Sequence, residues 1–190
     1  MRRRQLLDAA RQSVVQHGLA RTTLATVAAE AGLSQGVAVF YFKSKNGLLA
    51  ETLRAQYDHY AQTWASALQA AAKDPRAQLV ALLEADFAPH VCDADALALW
   101  FAFWGEQKFT PQYAEIAAEF DTERNAIIRQ ICRALFTSAS AEQADCIAEW
   151  LDTLTDGYWQ NLHLHPSKFT PAEGLARTKQ LMEELIRTYG

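Results

Sequence analysis

Leu49, Leu53, Tyr57, Tyr60, Trp64 and Leu68 recur at intervals of four and three residues. That spacing puts large apolar side chains on one face of a helix; a strand would alternate its faces at every residue. The same signature returns later in the chain, where Ile147, Leu151, Leu154, Tyr158 and Leu162 share one face, and Leu175, Met182, Leu185 and Tyr189 another. No strand pattern competes with it. Glycine and proline are few and fall between the periodic segments. Gly18 and Gly32 suit helix ends, Asp74-Pro75 stops the long fourth helix, and Pro111 and Pro171 suit first helical positions.

The expected helices run over 3–17, 24–31 and from just after Ser34 to about 41. A long one starts near Lys45, and others reach Ala88 and cover 94–108 and 111–136. One follows Ser140, and the last opens at Pro171. The fold class is all-α with about nine helices. A small N-terminal unit of short helices occupies 1–48, and a larger helical body occupies 49–190. Half of the 190 residues are hydrophobic and 21% are charged, enough to bury a core and too apolar for disorder. No run of 18 apolar residues is present, so no membrane span is expected. Met1-Arg2-Arg3-Arg4-Gln5 is not followed by the apolar run of a signal peptide, so the expected location is the cytoplasm.

The net charge of −4 hides an asymmetry. Residues 1–54 hold eight basic and three acidic side chains, a net +5, while the remainder holds ten and nineteen, a net −9. A basic head on an acidic body points to a polyanion partner for the head alone.

Within that head, two short helices flank Ala31-Gly32-Leu33-Ser34. Gly32 suits a left-handed position at the end of the first, and Ser34 suits the cap of the second. Val27 and Ala28 face a small core, with Leu33 and Val37 against them. This is a helix-turn-helix whose second helix, Gln35 to Tyr41, enters a major groove. Gly36 and Ala38 are small enough for close approach. Gln35 suits a base edge or a phosphate, Val37 or Val39 a thymine methyl, and Phe40 the sugar-phosphate backbone. Thr23, Ser34, Tyr41 and Lys45 complete the DNA-binding set, with Arg2, Arg3 and Arg4 as a mobile arm toward phosphates or a minor groove.

The motif Val27-Ala28-Ala29-Glu30-Ala31-Gly32-Leu33-Ser34-Gln35-Gly36, followed by Tyr41-Phe42-Lys43-Ser44-Lys45-Asn46-Gly47-Leu48, resembles the TetR family of bacterial transcriptional repressors. Phe40 stands where many members carry His, and Asn46 where an acid is common. The resemblance implies a two-fold homodimer on a near-palindromic operator, a ligand pocket in the C-terminal body, and dimerisation through the last two long helices.

In the body, Trp100-Phe101-Ala102-Phe103-Trp104 places four aromatics in five residues. Phe109, Tyr113 and Trp159 lie on further helical stretches, and Asp152, Asp156 and Trp159 stand at i, i+4 and i+7. Aromatic faces beside carboxylates suit a quaternary ammonium or other organic cation. Aromatics at helical spacing equally suit an ordinary core. The stretch from Leu99 to Trp104 also resembles the choline-responsive, BetI-like members of the same family. That resemblance implies a choline-class effector, with Trp100, Phe103 and Trp104 as candidate pocket residues. The candidate ligand set is thus Trp100, Phe103, Trp104, Phe109, Tyr113, Asp152, Asp156 and Trp159.

Catalytic signatures are missing. None of the five histidines follows a Glu by three residues, as a di-iron bundle requires. His163 and His165 read as a loop pair rather than a metal site. Cys92, Cys132 and Cys146 form no CxxC and read as buried thiols, a redox sensor being the alternative. The expectation is therefore a ligand-responsive repressor without enzymatic activity, metal or cofactor, released from its operator by a small molecule. The alternatives are a regulator of an efflux or catabolic operon sensing another compound, or a helical-bundle enzyme.

Overall fold

The computed structural model describes residues 1–190 as ten helices: α1 (Arg2–Arg21), α2 (Leu24–Glu30), α3 (Gln35–Phe42), α4 (Lys45–Ala70), α5 (Pro75–Asp86), α6 (Pro89–Cys92), α7 (Ala94–Glu106), α8 (Pro111–Leu135), α9 (Ala141–Leu164) and α10 (Pro171–Tyr189). The tenth, beyond the nine read from sequence, is α6. It is a single turn opened by Pro89, too short to show a period. The preceding helix stops at Asp86 rather than Ala88, and the Asp86 carbonyl accepts from Trp159 Nε1 at 3.0 Å.

Sequence chemistry explains most of the helix starts. Thr23 with Thr26, Ser140 with Gln143 and Thr170 with Glu173 form capping boxes, and the Asp74 carboxylate accepts from Ala77 N at 2.9 Å ahead of Pro75. Gly18, expected to end α1, breaks it instead: φ is +75°, and one further turn reaches Arg21.

The chain packs as two compact units. The first holds residues 1–59 and 98–119, the second 60–97 and 120–190. Helices α4, α7 and α8 each contribute to both. The division at 48/49 follows the end of the motif, whereas these units follow packing. In the first, Leu6, Ala10, Val27, Ala28, Ala31, Ala38, Phe42 and Leu48 build a core, with Leu33 and Val37 partly buried against it. In the second, α9 supplies Ile147 and Leu151 and α10 supplies Met182 and Leu185. They meet Leu79, Leu82 and Leu83 of α5 and Ile128 and Ile131 of α8. Gly174 lets α10 approach α5, since a Cβ there would stand 2.6 Å from the Phe87 ring.

Candidate DNA-reading head and effector site

The turn between α2 and α3 is closed by backbone. Gly32 N–H donates to Ala29 O at 3.0 Å and Leu33 N–H to Ala28 O at 2.8 Å, the paired bonds of a Schellman ending. It requires the left-handed φ of +64° that Gly32 adopts. Ser34 occupies the cap position of α3, but its side chain makes no capping hydrogen bond. Beyond α3, Ser44 Oγ accepts from Gly47 N at 3.0 Å and so caps α4. Gly47 is demanded by contact: a Cβ would lie 2.3 Å from the Phe42 carbonyl oxygen.

At about 100° per residue, Gln35, Val39, Gly36 and Phe40 fall within one arc of α3, and all four are exposed. Ala38, expected to lie near DNA, is instead fully buried in the core with Phe42, and Val37 is half-buried. The arc opposite the core holds the reading face, so Ala38 sets packing distance and not a DNA contact. Tyr41 is exposed at the side and meets the Phe40 ring edge-on at 5.2 Å.

Arg2, Arg3 and Arg4 are exposed, but they form the first turn of α1 rather than a mobile arm. Arg3 pairs with Glu51 and lies over the Phe42 ring at 5.9 Å, which ties the start of α1 to α4 and α3. Lys45 donates from Nζ to Ala20 O at 2.8 Å, so its ammonium caps the end of α1. The Thr23 hydroxyl is engaged in the α2 cap.

The aromatic segment of α7 lies in the first unit. Trp100, Phe103 and Tyr113 are buried. Trp100 packs edge-on against Tyr57 at 4.7 Å, Phe103 against Tyr113 at 5.1 Å, and Trp104 lies 6.2 Å from Trp100. Trp104 keeps a half-exposed ring. Phe109, 74% exposed, stands apart in the turn after α7.

Asp152, Asp156 and Trp159 lie in the second unit, where a network not singled out from sequence surrounds them. Arg124 on α8 donates from Nη2 to Asp86 Oδ2 at 2.8 Å and from Nη1 to Asp152. Tyr60 donates from its hydroxyl to Asp86 Oδ1 at 2.7 Å. The Arg124 guanidinium lies 5.7 Å from the Tyr60 ring centre, and Trp159 meets that ring edge-on at 5.8 Å. One internal cation is thus held by carboxylates and an aromatic face. Four aspartates, Asp86, Asp121, Asp152 and Asp156, act on each other around it. The surplus charge has a consequence. Crowding by protein, then repulsion from Asp152, pushes the Asp156 carboxyl up to about 7 against the pull of Arg124. The same two causes push Asp121 up to about 6.

A signal for this network did exist. Arg124 falls on the stripe of Ala117, Ile128 and Ile131, and a charge on a buried stripe is rare without a partner. Among the thiols, burial pushes Cys92 up to about 11 and Cys132 to about 12, so both stay protonated and unreactive at neutral pH. No three His, Cys, Asp or Glu side chains are grouped to hold a metal ion.

Residues 6–52 match the family model of bacterial regulatory proteins of the tetR family. Residues 75–187 match that of the BetI-type transcriptional repressor, C-terminal. The chain belongs to the BetI-type branch of the TetR family. Among BetI-type relatives, the HTH-type transcriptional regulator BetI of Serratia proteamaculans is 30% identical over 188 residues, covering 98% of this chain and 93% of that one. The BetI of Paraburkholderia xenovorans is 34% identical over 159 residues, covering 84% and 80%. A transcriptional regulator of Pseudomonas aeruginosa PAO1 superposes with a TM-score of 0.84 at 26% identity, covering 99% of this chain and 93% of that one. A transcriptional regulator of Saccharomonospora viridis, solved in complex with choline, superposes with a TM-score of 0.84 at 22% identity, covering 95% of each chain.

This TetR-family chain is a DNA-binding transcriptional regulator and not an enzyme. No helix is long and apolar enough to cross a membrane.

Proposed function

We propose that this regulator is a cytoplasmic homodimeric repressor that leaves a near-palindromic operator when a choline-class organic cation binds its regulatory part. The observation that carries the ligand reading is the excess of carboxylate over cation around Arg124, beside the rings of Tyr60 and Trp159. A quaternary ammonium has no hydrogen-bond donor, so it is recognised by negative charge and aromatic faces together. Asp152, Asp156 and Trp159 are the residues assigned to it, with Asp86 and Arg124 holding them in place. The choline complex of the Saccharomonospora viridis regulator, which shares the fold, supports the same ligand class. The α7 set, Trp100, Phe103, Trp104 and Tyr113, is a second candidate for the cation, tested separately below. Phe109 is the weakest member, being turned to solvent.

On the DNA side, Gln35, Gly36 and Val39 are assigned to the groove, and Phe40, expected from sequence on the sugar-phosphate backbone, joins them because its ring is 68% exposed on the same arc of α3. Arg2, Arg3, Arg4, Thr23, Ser34, Tyr41 and Lys45 are assigned to the backbone. For the dimer, Ile147, Trp150 and Tyr189 line an apolar groove on α9 and α10, and Trp150 is 51% exposed. The mechanism is a population shift, in which the cation binds better to the conformation whose recognition helices do not fit successive major grooves. A coupling of about 1–3 kcal/mol suffices.

The test is titration calorimetry with choline, and with tetramethylammonium as the bare head group. Wild type binds both, and Asp156→Asn and Trp159→Leu weaken binding by at least about tenfold, equivalent to ~1.4 kcal/mol. Loss on Trp104→Ala with Trp159→Leu unchanged moves the site to the α7 rings. Absence of binding to either cation overturns the ligand assignment.

A further inference from the structure

The outward face of α3 is poor in hydrogen-bonding groups. Of its four exposed members, Gln35 alone carries a polar side chain; Gly36 presents bare backbone, and Val39 and Phe40 are apolar. Val39 is 41% exposed and Phe40 68% exposed, large values for such side chains unless something covers them in use. Val39 lies inside the arc, between Gln35 and Gly36 around the helix, and Phe40 stands at its far edge beyond Gly36.

The cations near α3 have partners within the protein: Arg3 pairs with Glu51, and Lys45 donates to Ala20 O. Lys43, in a left-handed conformation at φ +63°, donates from Nζ to Phe40 O at 2.9 Å and lies 5.4 Å from the Phe40 ring centre. The ring thus has two neighbours, the Lys43 ammonium and the Tyr41 ring. Phe40 so placed offers an apolar ring face to whatever meets α3. No guanidinium or second amide stands on the face to make the bidentate contacts that read guanine or adenine.

We infer that Val39 and Phe40 are the specificity-determining residues of the head, reading thymine by apolar contact with its 5-methyl group in the major groove. The inference rests on the operator-binding reading above and adds the base that the operator must present. Thymine is the only base that offers a methyl group in that groove. Gln35 then supplies the single hydrogen-bonded reading, and Gly36 allows the helix to sit close enough for Val39 to reach.

The experiment uses the full-length protein and a duplex recovered by that protein from a random-sequence pool. Each thymine of the half-site is replaced in turn by uracil, which differs only by the methyl. At the thymines facing Val39 and Phe40, uracil weakens binding about three- to fivefold, the worth of one buried methyl. Val39→Ala or Phe40→Ala abolishes that penalty at its own position and leaves the others intact. Both side chains are exposed, so neither truncation opens the core. The inference is overturned if uracil is neutral at every thymine, or if its penalty survives unchanged in both variants. Recovery of no duplex at all would overturn the operator-binding reading itself, a distinguishable result.

Discussion

Arg124 Nη2 stands 2.8 Å from Asp86 Oδ2, and both side chains are shut from water, at 7% and 0% exposure. A buried charge that loses its partner is left without compensation, which costs about 3–5 kcal/mol. Arg124→Met should therefore destabilise the protein by about that amount in urea unfolding. The double variant Arg124→Met with Asp86→Leu should recover much of it, because the orphaned carboxylate is gone. A single variant as stable as wild type would show that the pair does not hold the second unit together.

Asp156, with its carboxyl pushed up to about 7, gives a pH signature. An unfolded aspartate titrates near 4, so between those values the folded chain holds a proton that the unfolded chain has lost. That contribution favours the fold at lower pH and is lost as pH rises through about 7. Asp156→Asn should thus gain stability over wild type at pH 8 and little at pH 5. A bound cation favours the ionised carboxylate, so choline affinity should rise from pH 6 to pH 8 with proton release. Calorimetry in buffers of different ionisation heat measures that release. A flat pH profile in wild type would contradict the role given to Asp156.

The head offers a backbone test. Gly32→Ala places a side chain at φ +64° in open space, a strain of about 1–2 kcal/mol. Gly47→Ala instead drives a Cβ to 2.3 Å from the Phe42 carbonyl oxygen, a backbone atom that cannot yield as a flexible side chain would. Thermal unfolding should rank Gly47→Ala below Gly32→Ala. The reverse order would mean that α3 and α4 can separate at little cost.

The positive head predicts a salt response. The logarithm of operator affinity should fall linearly with the logarithm of salt concentration, by about 0.9 per phosphate neutralised. Replacing the exposed Arg2 and Arg4 with Gln should make the slope shallower by about one each if both reach phosphates. An unchanged slope would leave those arginines a structural role at the start of α1.

The parts legible in the sequence are those fixed locally. Gly32 announces a left-handed ending, Thr23 and Ser140 announce caps, and the stripe from Leu49 to Leu68 announces α4. The sequence is ambiguous where tertiary packing decides the outcome. Ala38 is small, which suits DNA and a tight core equally, and only the packing of Phe42 and Val27 places it inward. Arg2, Arg3 and Arg4 read as a loose arm because nothing nearby fixes them, but Arg3 meets Glu51, 48 residues away. Asp86 and Asp152 lie 38 and 28 residues from Arg124 and become one network with it through α5, α8 and α9. Their spacing carries no period, and only the charge on an apolar stripe betrayed them.

The central claim is that cation binding in the regulatory part releases DNA from the head. Fluorescence anisotropy of the recovered operator duplex, titrated with the full-length protein at fixed salt with and without saturating choline, tests it most directly. Choline should raise the operator Kd by about five- to 150-fold, the range of ordinary allosteric coupling, and Asp156→Asn should abolish the shift while binding operator normally. An operator Kd unaltered by saturating choline, in a protein that calorimetry shows to bind it, would contradict the account.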